Sequence, residues 1–196
     1  MIDFLKNNKN ALIIFGVVII LTIVNLIQDK ERDKEIDLPY YISGLLGNNK
    51  ENLLITFIRW ISIYLAALPL YNEIPNEKKY FFTKKITPIL LALTAVTSRN
   101  YKFGDIRIKS KNIHFIVSGI FIASNGISLF PINKIQALIY LIFSSLYIVL
   151  FALKRILPIE LTGIKINGKF IKYFEYLLFL YYIFSLDSTN YKNKKN

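Results

Sequence analysis

Long apolar blocks alternate with short, lysine-rich polar steps along the whole chain. The cleanest block follows the step Phe130-Pro131-Ile132-Asn133-Lys134, runs without charge from Ile135 to Leu153, and stops on Lys154-Arg155. About 20 apolar residues carry a helix across the hydrocarbon core of a bilayer. A basic pair at the end of such a run anchors among headgroups. This stretch therefore predicts a transmembrane helix. The pattern recurs near 11–27, 53–71, 86–98, 113–130 and 170–186. Together with 135–153 these blocks predict an all-α, polytopic membrane helix bundle of about five or six transmembrane helices. They form one membrane domain over residues 1–186, followed by a polar tail, 187–196, with the composition of a disordered segment.

The blocks differ in character. Ala11–Ile27 has the apolarity of a signal-peptide core, but it is long and no small-residue cleavage site follows, so it predicts a retained span. The charged stretch after it offers Asp29, Asp33 and Asp37 at helical spacing, with Lys30, Arg32 and Lys34 interleaved to neutralise them. Block 53–71 carries Arg59 beside Trp60. A charge at that depth is costly and is often functional. Its closeness to the start of the run favours an arginine that snorkels to the nearer interface. Pro69 predicts a kink or an end to that helix. Block 86–98 is barely long enough to cross, which makes it a short tilted span or a re-entrant piece. Arg99–Lys111 reads as the most basic loop.

Block 113–130 is the polar one. It holds Ser118, Gly119, Ser124, Asn125 and Gly126. Small residues let helices approach closely, and hydroxyls and amides bond between them. The same residues suit a helix that lines a polar cavity, with Asn125-Gly126 as a break near a binding site. His114, at the end of the block, reads as an interface residue. Lys172 and Glu175 stand three apart on one face, where they read as a wet first turn. Asn133 and Gln136 share a face at the start of their helix and suit an interfacial cap. The candidate pathway or packing polar residues are thus Arg59, Ser118, Ser124, Asn125, Asn133 and Gln136.

Composition narrows the chemistry. The chain has 196 residues, 54% of them hydrophobic, which is too apolar for a soluble domain of this size. With no Cys there are no disulfides, thiolate metal sites or cysteine nucleophiles, and a single His leaves no ligand set for zinc or haem. No G-x-S-x-G and no P-loop occur. Acidic residues lie almost wholly between the blocks, whereas coupled carriers keep one inside the membrane. An enzyme is the weakest class, and no catalytic residue, cofactor or metal is expected. The net charge of +12 sits in loops, where it sets topology and meets anionic lipid. The expected partner is the lipid bilayer and not a nucleic acid. Counting Lys and Arg places the loops after the first, third and fifth spans in the cytosol or stroma.

Two fragments carry a family resemblance. Ile58–Pro75, IRWISIYLAALPLYNEIP, resembles the Arg-x-x-Ser-x-Tyr-Leu-x-x-x-Pro-Leu span of the twenty-kilodalton component of the chloroplast inner-envelope import translocon. Ile132–Phe143, INKIQALIYLIF, is similar to that family's Phe-Asn-x-x-Gln-Ala-Leu-Leu segment through Asn133, Gln136, Ala137 and Leu138. The first span, the long stretch between the two fragments and the last span depart from the four-helix family pattern. The resemblance implies a subunit of a protein-import translocon in the plastid inner envelope, with other translocon subunits as partners. Some algal plastid genomes encode such proteins, and the richness in Ile, Asn and Lys fits an AT-rich genome. The alternatives are a small-solute membrane transporter or its substrate-binding subunit, which predicts an enclosed cavity lined by Ser118, Ser124 and Asn125, and a non-catalytic structural membrane protein. Either of these would sit in a bacterial plasma membrane.

Overall fold

Each apolar block folds as a helix, because a helix bonds every backbone polar group within its own segment, as an apolar surrounding demands. In a computed structural model, which describes residues 8–31, 40, 42–45, 53–97, 101–103, 106–108, 111–156 and 168–187, helix α1 spans Lys9–Glu31 and a single turn, α2, spans Ile42–Leu45. Then come α3 (Leu53–Asn72), α4 (Thr87–Thr97), strands β1 (Tyr101–Phe103) and β2 (Ile106–Ile108), α5 (Lys111–Leu129), α6 (Lys134–Ile156) and α7 (Gly168–Asp187). Asp33, Asp37, most of the 187–196 tail and the 157–167 connection lie outside the described residues.

The helices pack in chain order and close on themselves. Helix α1 lies on α3, α3 on α4, α4 on α5, α5 on α6, α6 on α7, and α7 returns to α1. This is a six-membered ring of antiparallel neighbours, with α5 also touching α7 across the middle. One end of the ring carries the start of α1, the α3–α4 turn, the α5–α6 turn and the end of α7. The opposite end carries α2 and the β1–β2 hairpin.

The ring is apolar outside and partly polar inside. On α6, Ile135, Leu138, Ile139, Ile142, Phe143, Leu146, Val149 and Leu153 are exposed, while Ala137, Tyr140, Ser144 and Tyr147 are buried. Leaving side chains of that kind in water forfeits about 1.5–3 kcal/mol each. Hydrocarbon is the solvent that such a surface matches. Among the described residues three helices, Lys9–Glu31, Leu54–Asn72 and Lys134–Lys154, are long and apolar enough to cross a membrane.

The other three blocks differ from expectation in ways the backbone explains. Helix α4 has 11 residues, a rise of about 16 Å. It is preceded by a 3₁₀ turn, Lys78–Tyr80, and a π turn, Phe82–Ile86. Pro88 has no N–H for the Lys84 carbonyl, and its ring crowds that oxygen. The backbone widens instead, and the Thr87 N–H reaches back to the Phe82 carbonyl. The apolar part of α5, Ile113–Leu129, is shorter than the three long spans, and α7 carries Lys169, Lys172, Glu175 and Asp187. Within the Arg99–Lys111 loop lies an antiparallel hairpin pairing Tyr101 with Ile108 and Phe103 with Ile106. Helix α3 continues past Pro69 to Asn72, so the proline does not end it.

Two caps tie the end of the ring that carries the α5–α6 turn and the end of α7. The Asn133 carboxamide oxygen accepts the Ile135 and Gln136 N–H groups at 3.0 and 3.2 Å, which caps α6. Asp187, assigned from sequence to a disordered tail, is instead the buried last residue of α7. Its carboxylate accepts the Ala11 N–H at 2.7 Å and the Asn10 amide at 3.3 Å, so the end of α7 caps the start of α1.

Candidate functional site

Helix α5 carries the polar side of the ring interior, and it does so without a break. Residues Asn125 and Gly126 stay helical. A Cβ on Gly126 would meet Leu141 Cγ at 2.6 Å and Tyr140 Cδ1 at 3.2 Å. Gly126 is therefore where α5 and α6 touch, and not a hinge. That contact sets Asn125 beside Tyr140, whose hydroxyl accepts the Asn125 amide at 3.4 Å.

One turn further on, a chain of hydroxyls begins. Ser128 donates to the Asn125 carbonyl at 2.8 Å. The Ser128 hydroxyl also lies 3.0 Å from the Tyr182 hydroxyl. Its single proton is committed to the carbonyl, so Tyr182 is the donor. Tyr71 lies in the same buried core as Tyr182. Thr83 donates to the Ser128 carbonyl at 2.8 Å. This cluster joins α3, the π turn, α5, α6 and α7 at one end of the ring, and it seals that end with three buried tyrosines. Tyr140 packs at 5.9 Å from Tyr182, centroid to centroid, in a tilted pair.

Between this seal and α2 lies a cavity of about 80 Å³. Its walls are mostly Ile63, Leu91, Phe121, Ile122, Leu178 and Phe179, with Thr94, Ser118, Asn125, Tyr140 and Glu175 as the polar points. Asn125 is buried, and its side-chain oxygen has no donor among the described residues. Ser118 lies 3.4 Å from His114 Nε2, and Thr97 lies 3.2 Å from His114 Nδ1. Ser124 does not line the cavity. It is buried and donates to the Phe121 carbonyl at 2.7 Å, within its own helix. The cavity is partly open rather than enclosed, and it holds two of the three residues expected and room for only a handful of atoms.

Arg59 departs furthest from expectation. It does not snorkel; it is 2% exposed. Its guanidinium donates to Asn25 Oδ1 at 2.7 Å, Gln28 Oε1 at 2.9 Å and the Leu45 carbonyl at 3.1 Å. A planar fork can reach two amides on α1 and a carbonyl of α2 together, which an ammonium cannot. The reason for burial lies in those acceptors, placed inside the ring by α1. Arg59 fastens α2 against the ring. Glu175 assists from the other side by accepting the Ile42 N–H at 3.2 Å. Lys172 is also buried, so the wet-turn reading of this pair fails. Tyr40, just before α2, donates to Asp29 at 2.8 Å. Burial pushes the Tyr40 hydroxyl up to about 12, and the Asp29 carboxylate beside it adds to the shift.

The predicted residues therefore do not converge. Arg59 holds α2, Ser118 and Asn125 face the cavity, Ser124 bonds its own helix, and Asn133 caps α6. Gln136 is half-buried, and its carbonyl accepts the Tyr181 hydroxyl at 3.3 Å. Sequence reading missed Tyr71, Tyr140, Tyr182 and Thr83. A signal existed on α6: Ala137, Tyr140, Ser144 and Tyr147 repeat at steps of three and four, the small and polar stripe of an otherwise apolar run. Among the described residues, no three His, Asp or Glu side chains come together to hold a metal ion. What the site offers is hydrogen bonding and close packing. No family model, characterised protein or solved structure matches the chain.

Proposed function

We propose that the chain is an integral membrane protein that crosses the bilayer six times and serves as a non-catalytic subunit of a protein-import translocon, of the kind found in the plastid inner envelope. One observation carries this reading. The two fragments that resemble the translocon family, distant in sequence, contribute to a single buried core: Ala66, Leu70, Tyr71 and Ile74 from the first, Ala137 and Tyr140 from the second. Of the residues that carry the resemblance, Leu70 and Ala137 lie in that core and Arg59 is buried, while Tyr64, Leu65 and Leu138 face outward, where neighbouring subunits would sit. A tyrosine-sealed ring leaves no room for a polypeptide inside one copy, so cargo would pass along an assembly to which this chain contributes a wall. The experiment is mild detergent extraction from the native membrane, followed by blue native electrophoresis and cross-linking. A complex much larger than 22.8 kDa that contains other membrane subunits is expected. A lone monomer removes the reading.

The cavity favours a second reading, a small-solute carrier or its binding subunit. Its support is the buried Asn125 oxygen, with no donor among the described residues, next to Ser118 and Thr94. Reconstituted protein that binds a small solute, and loses it in Asn125→Leu while staying folded, would move the balance to this reading.

A further inference from the structure

The turn from α3 to α4 carries four lysines in eight residues, Lys78, Lys79, Lys84 and Lys85. They surround a concavity of about 170 Å³, lined among others by Glu77, Lys78, Phe81, Lys84 and Lys85. Their charges are not equally committed. Lys79 pairs with Glu77 at 2.8 Å and lies 4.9 Å from the centre of the Tyr80 ring. Lys84 donates to the Ile74 carbonyl at 2.7 Å. Lys78 and Lys85 are exposed and make no ion pair among the described residues. The other carboxylate of the turn, Glu73, is not part of the lining. The pocket is left with a cationic excess.

Its surroundings say what would fill it. Tyr80 is buried and anchors the turn, while the adjacent Phe81 is 60% exposed. Beyond Phe81, the exposed Ile89, Leu93 and Val96 continue an apolar stripe down the outer face of α4. A basic cup at the end of an apolar stripe has the two-part chemistry of a phospholipid: a phosphodiester above, acyl chains below. The π turn matters here, because its extra residue per turn sets the rotation between Lys84-Lys85 and the α4 stripe.

We propose that the α3–α4 turn is a binding site for an anionic phospholipid. The phosphodiester sits between Lys78 and Lys85, and an acyl chain runs along Phe81, Ile89 and Leu93. The site is independent of the translocon reading and requires only that the bundle lie in a bilayer.

The test uses the purified full-length chain in detergent, with lipid binding read by native mass spectrometry. Phosphatidylglycerol is titrated against phosphatidylcholine, and soluble glycerol 3-phosphate against both. Wild type is expected to prefer phosphatidylglycerol, and the preference should shrink as salt is raised, because the contact is solvent-exposed. A juxtamembrane lysine contributes about 1 kcal/mol toward an anionic lipid, so K78Q/K85Q should weaken phosphatidylglycerol binding on the order of 30-fold. K30Q/K134Q removes the same charge elsewhere and should leave binding within about twofold of wild type. Neither the Lys78 nor the Lys85 ammonium group makes an ion pair or hydrogen bond among the described residues, so the variant should retain wild-type helicity. The salt series on wild type tests the proposal without any substitution. Absence of a phosphatidylglycerol preference, or equal losses in the two double variants, overturns the proposal. So does displacement of phosphatidylglycerol by glycerol 3-phosphate at comparable concentration, which would make the site one for a free phosphate ester.

Discussion

Replacing Arg59 by leucine distinguishes a latch from a snorkelling charge, because the two readings predict opposite signs. If the side chain only reached the interface, Arg59→Leu would relieve the membrane of a charge and leave stability equal or higher. In the structure it makes three hydrogen bonds, at 2.7, 2.9 and 3.1 Å, across to α1 and α2. Interhelical bonds in membrane proteins average about 0.6 kcal/mol and reach about 1.7, so three of them are worth about 2–5 kcal/mol. Leucine also leaves the Asn25 and Leu45 oxygens buried without that donor, at a further cost of about 1 kcal/mol each. Against this stands the cost of holding a guanidinium at depth, about 2.5–3.5 kcal/mol on insertion scales. Only part of that cost returns on unfolding in a micelle, where the arginine is still at an interface. The net expectation is a loss of about 2–4 kcal/mol for Arg59→Leu. Arg59→Lys keeps the charge but not the fork, so it should lose less, about 1–2 kcal/mol.

The assay is denaturation in mixed SDS and mild detergent, followed by the fluorescence of Trp60, the single tryptophan of the chain. A second readout follows α2 directly. The chain has no cysteine, so Leu45→Cys supplies one labelling site at a position that is 0% exposed. The thiol should resist a maleimide when Arg59 is present and react when it is leucine. A double-mutant cycle with Asn25→Leu should return a coupling of about 1 kcal/mol or more. An Arg59→Leu variant as stable as wild type, with the introduced thiol still protected, would refute the latch.

Three further outcomes follow from local geometry. Gly126→Ala should destabilise by about 1–3 kcal/mol in the same SDS assay, because its methyl group meets Leu141, whereas Gly119→Ala, with nothing within 4 Å, should be neutral or slightly stabilising. Asp187→Ala should cost about 0.5–2 kcal/mol through the lost cap on α1, and Asp187→Asn less, since one carbonyl oxygen remains as acceptor. Tyr40 is held protonated in the fold at about 12, against an ordinary value of 10.0, so its contribution is complete below pH 10 and is lost as pH rises toward 12. Subtracting the Tyr40→Phe ultraviolet titration from wild type should isolate one late-ionising phenol, and a phenol that ionises at the ordinary value would contradict the contact with Asp29.

The helices were legible because hydrocarbon imposes a one-dimensional rule: an unbroken apolar run longer than the core must be a helix. The same rule hides everything else. Once all faces of a run are apolar, hydropathy no longer says which face meets a neighbour. Hence Ile135–Leu153 revealed a helix but not that Tyr140 points inward to Tyr182. Arg59 was misread for a related reason. Distance from the start of a run says how far a charge lies from water, but the side chain goes where acceptors are. Asn25, Gln28 and the Leu45 carbonyl are brought to it by α1 and α2, elements up to 34 residues away. Asn133 was legible as a cap because capping is local, between residues two and three apart. Asp187 was not, because the Ala11 N–H that it caps lies 176 residues earlier in the chain.

That contrast separates residues that hold the ring from residues free to serve a partner. Arg59, Ser124, Asn125, Ser128, Tyr182 and Asp187 all spend hydrogen-bonding groups on neighbouring backbone or side chains. A polar group so committed must break a structural bond before it can bind anything else, at about 1 kcal/mol or more for each bond. Among the groups with capacity left are the Asn125 oxygen beside the cavity and the ammonium groups of Lys78 and Lys85 at the rim. The first faces a space too small for more than a few atoms. The second faces outward, toward the medium in which the bundle sits. Recognition by this protein is therefore expected at its rim and outer wall rather than through its centre.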